Sequence, residues 1–231
     1  MAVAGSNARP HDVVFLVDVD DTLIDNDRIR LDLQEHLEHE YGAAGRDRYW
    51  AIQEAMFVEL GYRDYLGAVQ RSWNEDSHDM RFLELSSYLI DYPFADRLYP
   101  RALEVLERLG TWGPTVVLTD GDAVFQPRKV ERSGIRAAVQ GRVLVYVHKE
   151  AELEDVEERY PADRYVLVDD KPRILTAVKQ VWGGRVTTVL PRQGPFADGV
   201  DFGRVEPPPD VVVERIGDLL DLDRATVVGG A

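Results

Sequence analysis

The chain contains no cysteine in 231 residues, which removes disulfides, thiolate nucleophiles and cysteine metal sites from consideration. A reducing compartment is compatible with that. Cations are also scarce: 27 Lys and Arg stand against 42 Asp and Glu, a formal net charge of −15. A surface of that sign argues against a nucleic-acid backbone or an anionic membrane as partner, while leaving room for local capture of a small phosphate. No apolar run approaches the roughly 18 residues that a membrane span needs. Met1 to Pro10 is small and polar, with neither a basic start nor an apolar stretch, and does not read as a signal peptide. The expectation is a soluble, cytoplasmic protein with one large domain, or a core carrying a sizeable insert.

What is present is concentrated first between Val13 and Asp25. An unbroken apolar run to Val17 meets Asp18, Asp20, Asp21 and Thr22, which reads as a buried strand delivering acids to its carboxyl end. Carboxylates so close resist joint ionisation, so a divalent metal or an anion-handling site is expected at the strand tip. Asp25, Asn26 and Asp27 then offer helix-capping side chains, and Ile29, Leu33, Leu37 and Tyr41 recur at helical spacing until Gly42. Further helical patterns run from Tyr49 to Leu60, from Tyr62 to Val69 and from Met80 to Ile90, and Tyr92-Pro93-Phe94 marks the way back. Residues 26–94 are expected to be an all-helical insert. Residues 1–25 and 95–231 would form the core.

In that core, helical stretches alternate with strands at Thr115–Thr119, Val143–Val147, Tyr165–Val168 and Arg185–Leu190, with Val211–Val213 as a further edge strand and Thr226–Ala231 fraying. The alternation predicts an α/β fold with a doubly wound, parallel, Rossmann-like sheet. Four of the apolar runs end alike, in Asp18 with Asp20, in Thr119-Asp120-Gly121, in His148-Lys149 and in Asp169-Asp170. Carboxyl ends of parallel strands share one crevice, so these residues can converge. Each alone is ordinary, since such residues cap helices and end strands, but together they form a set suited to a phosphoryl group and a divalent metal. Lys171 competes with Lys149 for the cationic role.

The pattern resembles the haloacid dehalogenase (HAD) superfamily of hydrolases, of the phosphatase type with a helical cap. Asp18-Val19-Asp20-Asp21-Thr22 matches its first motif, Thr119 its second, Lys149 its third and Val168-Asp169-Asp170 its fourth. The resemblance covers nearly the whole chain. It implies a Mg2+-dependent phosphatase for a small phosphorylated substrate, with Asp18 as nucleophile and Asp20 as acid and base. It further implies that Thr119 and the Asp120 amide hold a phosphoryl oxygen and that Lys149 offsets the gathered charge. Mg2+ would meet the Asp18 carboxylate, the Asp20 carbonyl and the pair Asp169 and Asp170, most directly Asp170. As acid, Asp20 would need its proton held more tightly than in a free aspartate, and neighbouring carboxylates are the expected cause.

Competing functions are a phosphotransferase or mutase of the same superfamily, a haloacid dehalogenase, and a receiver-like phospho-acceptor. Dehalogenases of the family use no metal and generally lack the second acid of the first motif. Receivers carry no insert of this size after the first strand. His36 and His39 read as a solvated helix face rather than a metal site, and Asp21, Asp25 and Asn26 as structural. Arg63, Arg71, Trp73 and Asn74 are the insert residues that would touch substrate if the insert closes.

Overall fold

In the computed structural model, residues 10–75, 78–196 and 205–229 are described. Six strands pair in parallel in the order β3-β2-β1-β4-β5-β6. They are β1 (His11–Val17), β2 (Thr115–Asp120), β3 (Val143–Tyr146), β4 (Ala162–Val168), β5 (Val186–Pro191) and β6 (Val211–Val213). The order reverses between β1 and β4, which are themselves hydrogen-bonded with Phe15 opposite Val166. A sheet of this kind binds ligands beyond the strand ends at that reversal.

Both faces of the sheet are covered, which is why the strands read as continuous apolar runs. Alternate β1 residues go to opposite sides. Val14 and Leu16 pack with α7 (Leu153–Arg159) and α8 (Pro172–Trp182) through Val156, Ile174 and Leu175. Val13, Phe15 and Val17 join a second core that includes Val105 and Leu106 of α4 (Ala102–Gly110), Val130 of α5 (Phe125–Arg132) and Ile135 of α6 (Ile135–Ala138).

Between β1 and α4 the described chain is helical, in α1 (Asn26–Leu60), α2 (Tyr65–Glu75), α3 (Arg81–Asp91) and a short 3₁₀ turn at Phe94–Arg97. Gly42 lies inside α1 with φ 71° and ψ 175°, so the helical path breaks where the apolar spacing places its first end. An aromatic cluster seats these helices on the core, with Phe125 of α5 5.0 Å from Tyr65 and 5.6 Å from Phe94.

After β3 the chain first makes a 3₁₀ turn, Lys149–Ala151, before α7. One expectation needs correction. The C-terminal stretch does not fray at Thr226: α9 (Arg224–Gly229) buries Val227 and Val228, and Thr187 Oγ1 donates to the Val228 carbonyl at 2.8 Å. Two valines at the end of a polar tail are too short a pattern to reveal a docking helix. Gly230 and Ala231 lie outside the described residues.

Candidate active site

The loop after β1 is tight enough to aim several carboxyl groups. Val19 O accepts from the amides of Leu23 and Ile24 at 2.8 and 3.0 Å, and Asp21 takes a left-handed φ of 58°. Asp21 Oδ1 accepts from the Asn26 amide at 2.9 Å and Asp25 Oδ1 from that of Arg28 at 2.8 Å, so both cap the start of α1. Burial, followed by the charges of Asp20 and Asp27, pushes Asp21 up to about 7. Thr22 Oγ1 accepts from the Asp170 amide at 3.1 Å, tying the loop after β1 to the one after β4.

Asp18 emerges from β1 only 1% exposed, with its amide donating to Val168 O at 3.0 Å. Lys149, fully buried beyond β3, places Nζ 2.6 Å from both Asp18 Oδ1 and Asp169 Oδ2. Its amide donates to Asp120 Oδ1 at 2.8 Å. Lys171 Nζ stands farther off, 4.0 Å from Asp18 Oδ2, so Lys149 takes the central position and its rival a supporting one. Burial works against the charge on Asp18, but Lys149 and Lys171 outweigh it and hold the carboxyl below its ordinary value. Burial likewise opposes the Lys149 charge, and Asp169 and Asp18 reverse that, so the ammonium keeps its proton.

Asp170 is the carboxylate left over. Both of its oxygens are buried without a hydrogen-bond partner, as is Asp18 Oδ2. Burial first, then Asp169, pushes Asp170 up to about 9. One oxygen each from Asp18, Asp169 and Asp170 lies within 4.8 Å of the others. Three hard oxygen donors around orphaned buried atoms fit a divalent cation. Asp169 is already engaged, by Lys149 at Oδ2 and by the Lys171 amide at Oδ1 (2.8 Å), so Asp170 and Asp18 have the free lone pairs.

Asp20 stands apart from this cluster. The sequence reading surrounds it with carboxylates, whereas the structure sets a cation against it: Lys129 Nζ lies 2.6 Å from Asp20 Oδ1 and donates to Asn26 Oδ1 at 3.0 Å. Thr119 is also engaged, its Oγ1 accepting from Gln126 Nε2 at 2.9 Å. A Cβ on Gly121 would lie 2.6 Å from Gln126 Cβ, so this glycine permits the approach of Gln126. Asp120 ends β2 beside Lys149, and burial raises its carboxyl.

Gln126 and Lys129 escaped the sequence reading, although a signal exists. Phe125, Gln126, Lys129 and Val130 are the buried residues of α5, so two polar side chains occupy an apolar stripe.

A cleft of about 330 Å³ opens over Asp20 and Lys171, walled on the helical side by Arg30, Tyr62, Arg63 and Tyr65. That volume is at the small end for ligand sites and suits a small metabolite. Of the insert residues singled out in the sequence, Arg63 reaches this cleft. Arg71 pairs instead with Glu59 at 2.8 Å, Asn74 accepts from Gln70 at 3.0 Å, and Trp73 lines a shallow groove elsewhere. His148 packs against Gly61 at the end of α1. His36 stacks on Tyr88 with ring centroids 3.8 Å apart, and His39 pairs with Glu40. Neither histidine belongs to a metal-type cluster among the described residues.

No family model and no curated protein matches the chain. Solved structures do. A haloacid dehalogenase-like hydrolase from Burkholderia xenovorans LB400 is 56% identical, with a TM-score of 0.86 over 93% of this chain and 97% of that one. YfnB of Bacillus subtilis, a HAD hydrolase solved with magnesium, is 15% identical with a TM-score of 0.61 over 92% and 98%. The L-2-haloacid dehalogenase of Xanthobacter autotrophicus is 16% identical with a TM-score of 0.59 over the same shares, 92% and 98%. The last two share the fold. The first, at its identity and coverage, establishes kinship: the chain belongs to the haloacid dehalogenase-like hydrolases.

Proposed function

We propose that this hydrolase is a Mg2+-dependent phosphomonoesterase acting on a small phosphorylated metabolite. One observation carries the reading: Asp170 holds two orphaned buried oxygens beside Asp18, while a second acid, Asp20, stands two residues from the nucleophile. A halide leaves carbon as a stable anion and needs no proton, so a site for displacing it has no use for the second acid. YfnB, with the same fold, is described as bound to magnesium.

Asp18 attacks phosphorus, forming an O–P bond as the bond to the leaving oxygen breaks and its electron pair departs with that oxygen. Asp20 delivers its proton to the leaving oxygen, then takes one from the water that attacks the aspartyl-phosphate and frees Asp18. Thr119 and the Asp120 amide hold a phosphoryl oxygen, and Lys149 keeps nucleophile and phosphoryl group from repelling each other. Asp18, the Asp20 carbonyl and Asp170 would hold Mg2+, with Asp169 in support, and the ion would supply charge neutralisation at the transferring group. Residues 26–94 serve as a cap that closes over the cleft and opens for release.

The direct test is phosphate release across a panel of phosphorylated metabolites, with Mg2+ and with a chelator. Turnover that survives chelation, or chloride release from 2-chloropropionate in place of phosphate release, defeats the reading.

A second expectation follows from Asp170. Its folded value of about 9 lies above the roughly 3.9 of an unfolded aspartate, so the metal-free native state binds the extra proton and loses stability as pH rises between those values. Asp170→Asn removes that liability. The variant should melt above the metal-free wild type, by a margin that widens from pH 5 to pH 8, at about 2–4 °C for each kcal/mol gained. It should also lose the thermal shift that Mg2+ gives the wild type. Scanning calorimetry at both pH values, with and without Mg2+, reads both effects.

A further inference from the structure

We propose that Lys129 is a positioning residue that fixes the side chain of Asp20 for proton transfer, an inference that rests on the phosphatase reading above. The nucleophile and the metal-type cluster are organised by Lys149, which pairs with Asp18 and Asp169. Asp20 has a separate cation. Lys129 is 1% exposed and reaches out of α5 to place Nζ 2.6 Å from Asp20 Oδ1. It also donates to Asn26 Oδ1 at 3.0 Å and lies 5.4 Å from the centre of the Phe125 ring.

Burying a lysine is unfavourable unless its ammonium is paired and hydrogen-bonded, and these partners meet that need. The consequence for Asp20 is geometric. Its Oδ1 is held by Lys129, which leaves Oδ2 as the oxygen available to the cleft that Asp20 lines. A carboxyl group used alternately as acid and base must present one oxygen to the leaving group and later to water, and an anchored second oxygen removes the rotation that would misdirect it. Asn26 is the first residue of α1, so the same ammonium joins the acid to the start of the helical insert. One turn earlier on α5, Gln126 performs the equivalent service for Thr119. The helix after β2 therefore carries a supporting layer for two of the residues assigned to chemistry.

The test uses leaving groups of different basicity. Departure of p-nitrophenolate needs little protonation, whereas an alkoxide needs a proton as the bond breaks. In Lys129→Met, kcat/KM for an alkyl ester such as 2-hydroxyethyl phosphate should fall by about 10²–10³-fold, against about tenfold or less for p-nitrophenyl phosphate. Lys129→Arg should recover much of the difference. A purely structural lysine would depress both substrates alike, and equal losses overturn the proposal. A crystal structure of Lys129→Met supplies the second readout. Asp20 should leave its present rotamer there, and an Asp20 carboxylate that keeps its place overturns the proposal whatever the kinetics. A wild-type protein that releases phosphate from neither ester nor any member of the metabolite panel defeats the phosphatase reading instead, and the crystallographic comparison then decides Lys129 alone.

Discussion

Lys149→Met is expected to lower the melting temperature of the metal-free protein by about 6–20 °C. The fully buried ammonium sits 2.6 Å from carboxylates of both Asp18 and Asp169, and methionine fills a similar volume without charge. Removing one partner of a buried ion pair costs about 3–5 kcal/mol, because the remaining charge is left uncompensated, and a chain of this length shifts by about 2–4 °C for each kcal/mol. Here two acids lose their cation at once, with Asp170 adjacent and already orphaned. Scanning calorimetry on the metal-free protein measures the loss. Saturating Mg2+ should restore part of it, since a divalent ion replaces the missing positive charge among Asp18, Asp169 and Asp170. A melting temperature within 2 °C of wild type would mean that the lysine is not the counter-ion holding the cluster together.

Asp18→Asn is expected to reduce phosphate release by about 10⁴–10⁶-fold, the scale on which enzymes lose turnover when their nucleophile is removed. Asparagine keeps the shape of the side chain but cannot form the aspartyl-phosphate. Because Lys149 retains Asp169 as partner and Asp120 keeps its hydrogen bond from the Lys149 amide, the fold should survive. Intact mass after rapid quenching separates this from a binding defect: the wild type should gain one phosphoryl group during turnover and the variant none. Equal turnover by the two proteins would remove Asp18 from the mechanism.

Much of the architecture is legible in the chain because both faces of the sheet are buried. Val13–Val17 and Val116–Leu118 are unbroken apolar runs for that reason, and the polar residues that end them mark the carboxyl edge where ligands collect. The helical insert is legible from its 3.6-residue spacing, and the break at Gly42 from the residue itself. The closing helix is not, since six residues with two buried valines carry too little periodicity.

The candidate site divides along the same line. Asp18, Thr119, Lys149 and Asp170 are readable because each lies at or just beyond a strand end, where local position alone fixes orientation. Which acid carries free lone pairs, and which lysine is central, depend on distances of a few ångströms between segments far apart in the chain. Asp169 is spent on Lys149 and the Lys171 amide, leaving Asp170 open, and Lys171 stops at 4.0 Å where Lys149 reaches 2.6 Å. The pairing of Asp20 with Lys129 spans 109 positions and comes from a helix face rather than a strand end. Linear order determines which groups can arrive at the crevice. Electrostatic neutralisation inside the folded protein decides which of them stay free to act, because burial makes a charge find a partner or take up a proton, and only the final packing says which.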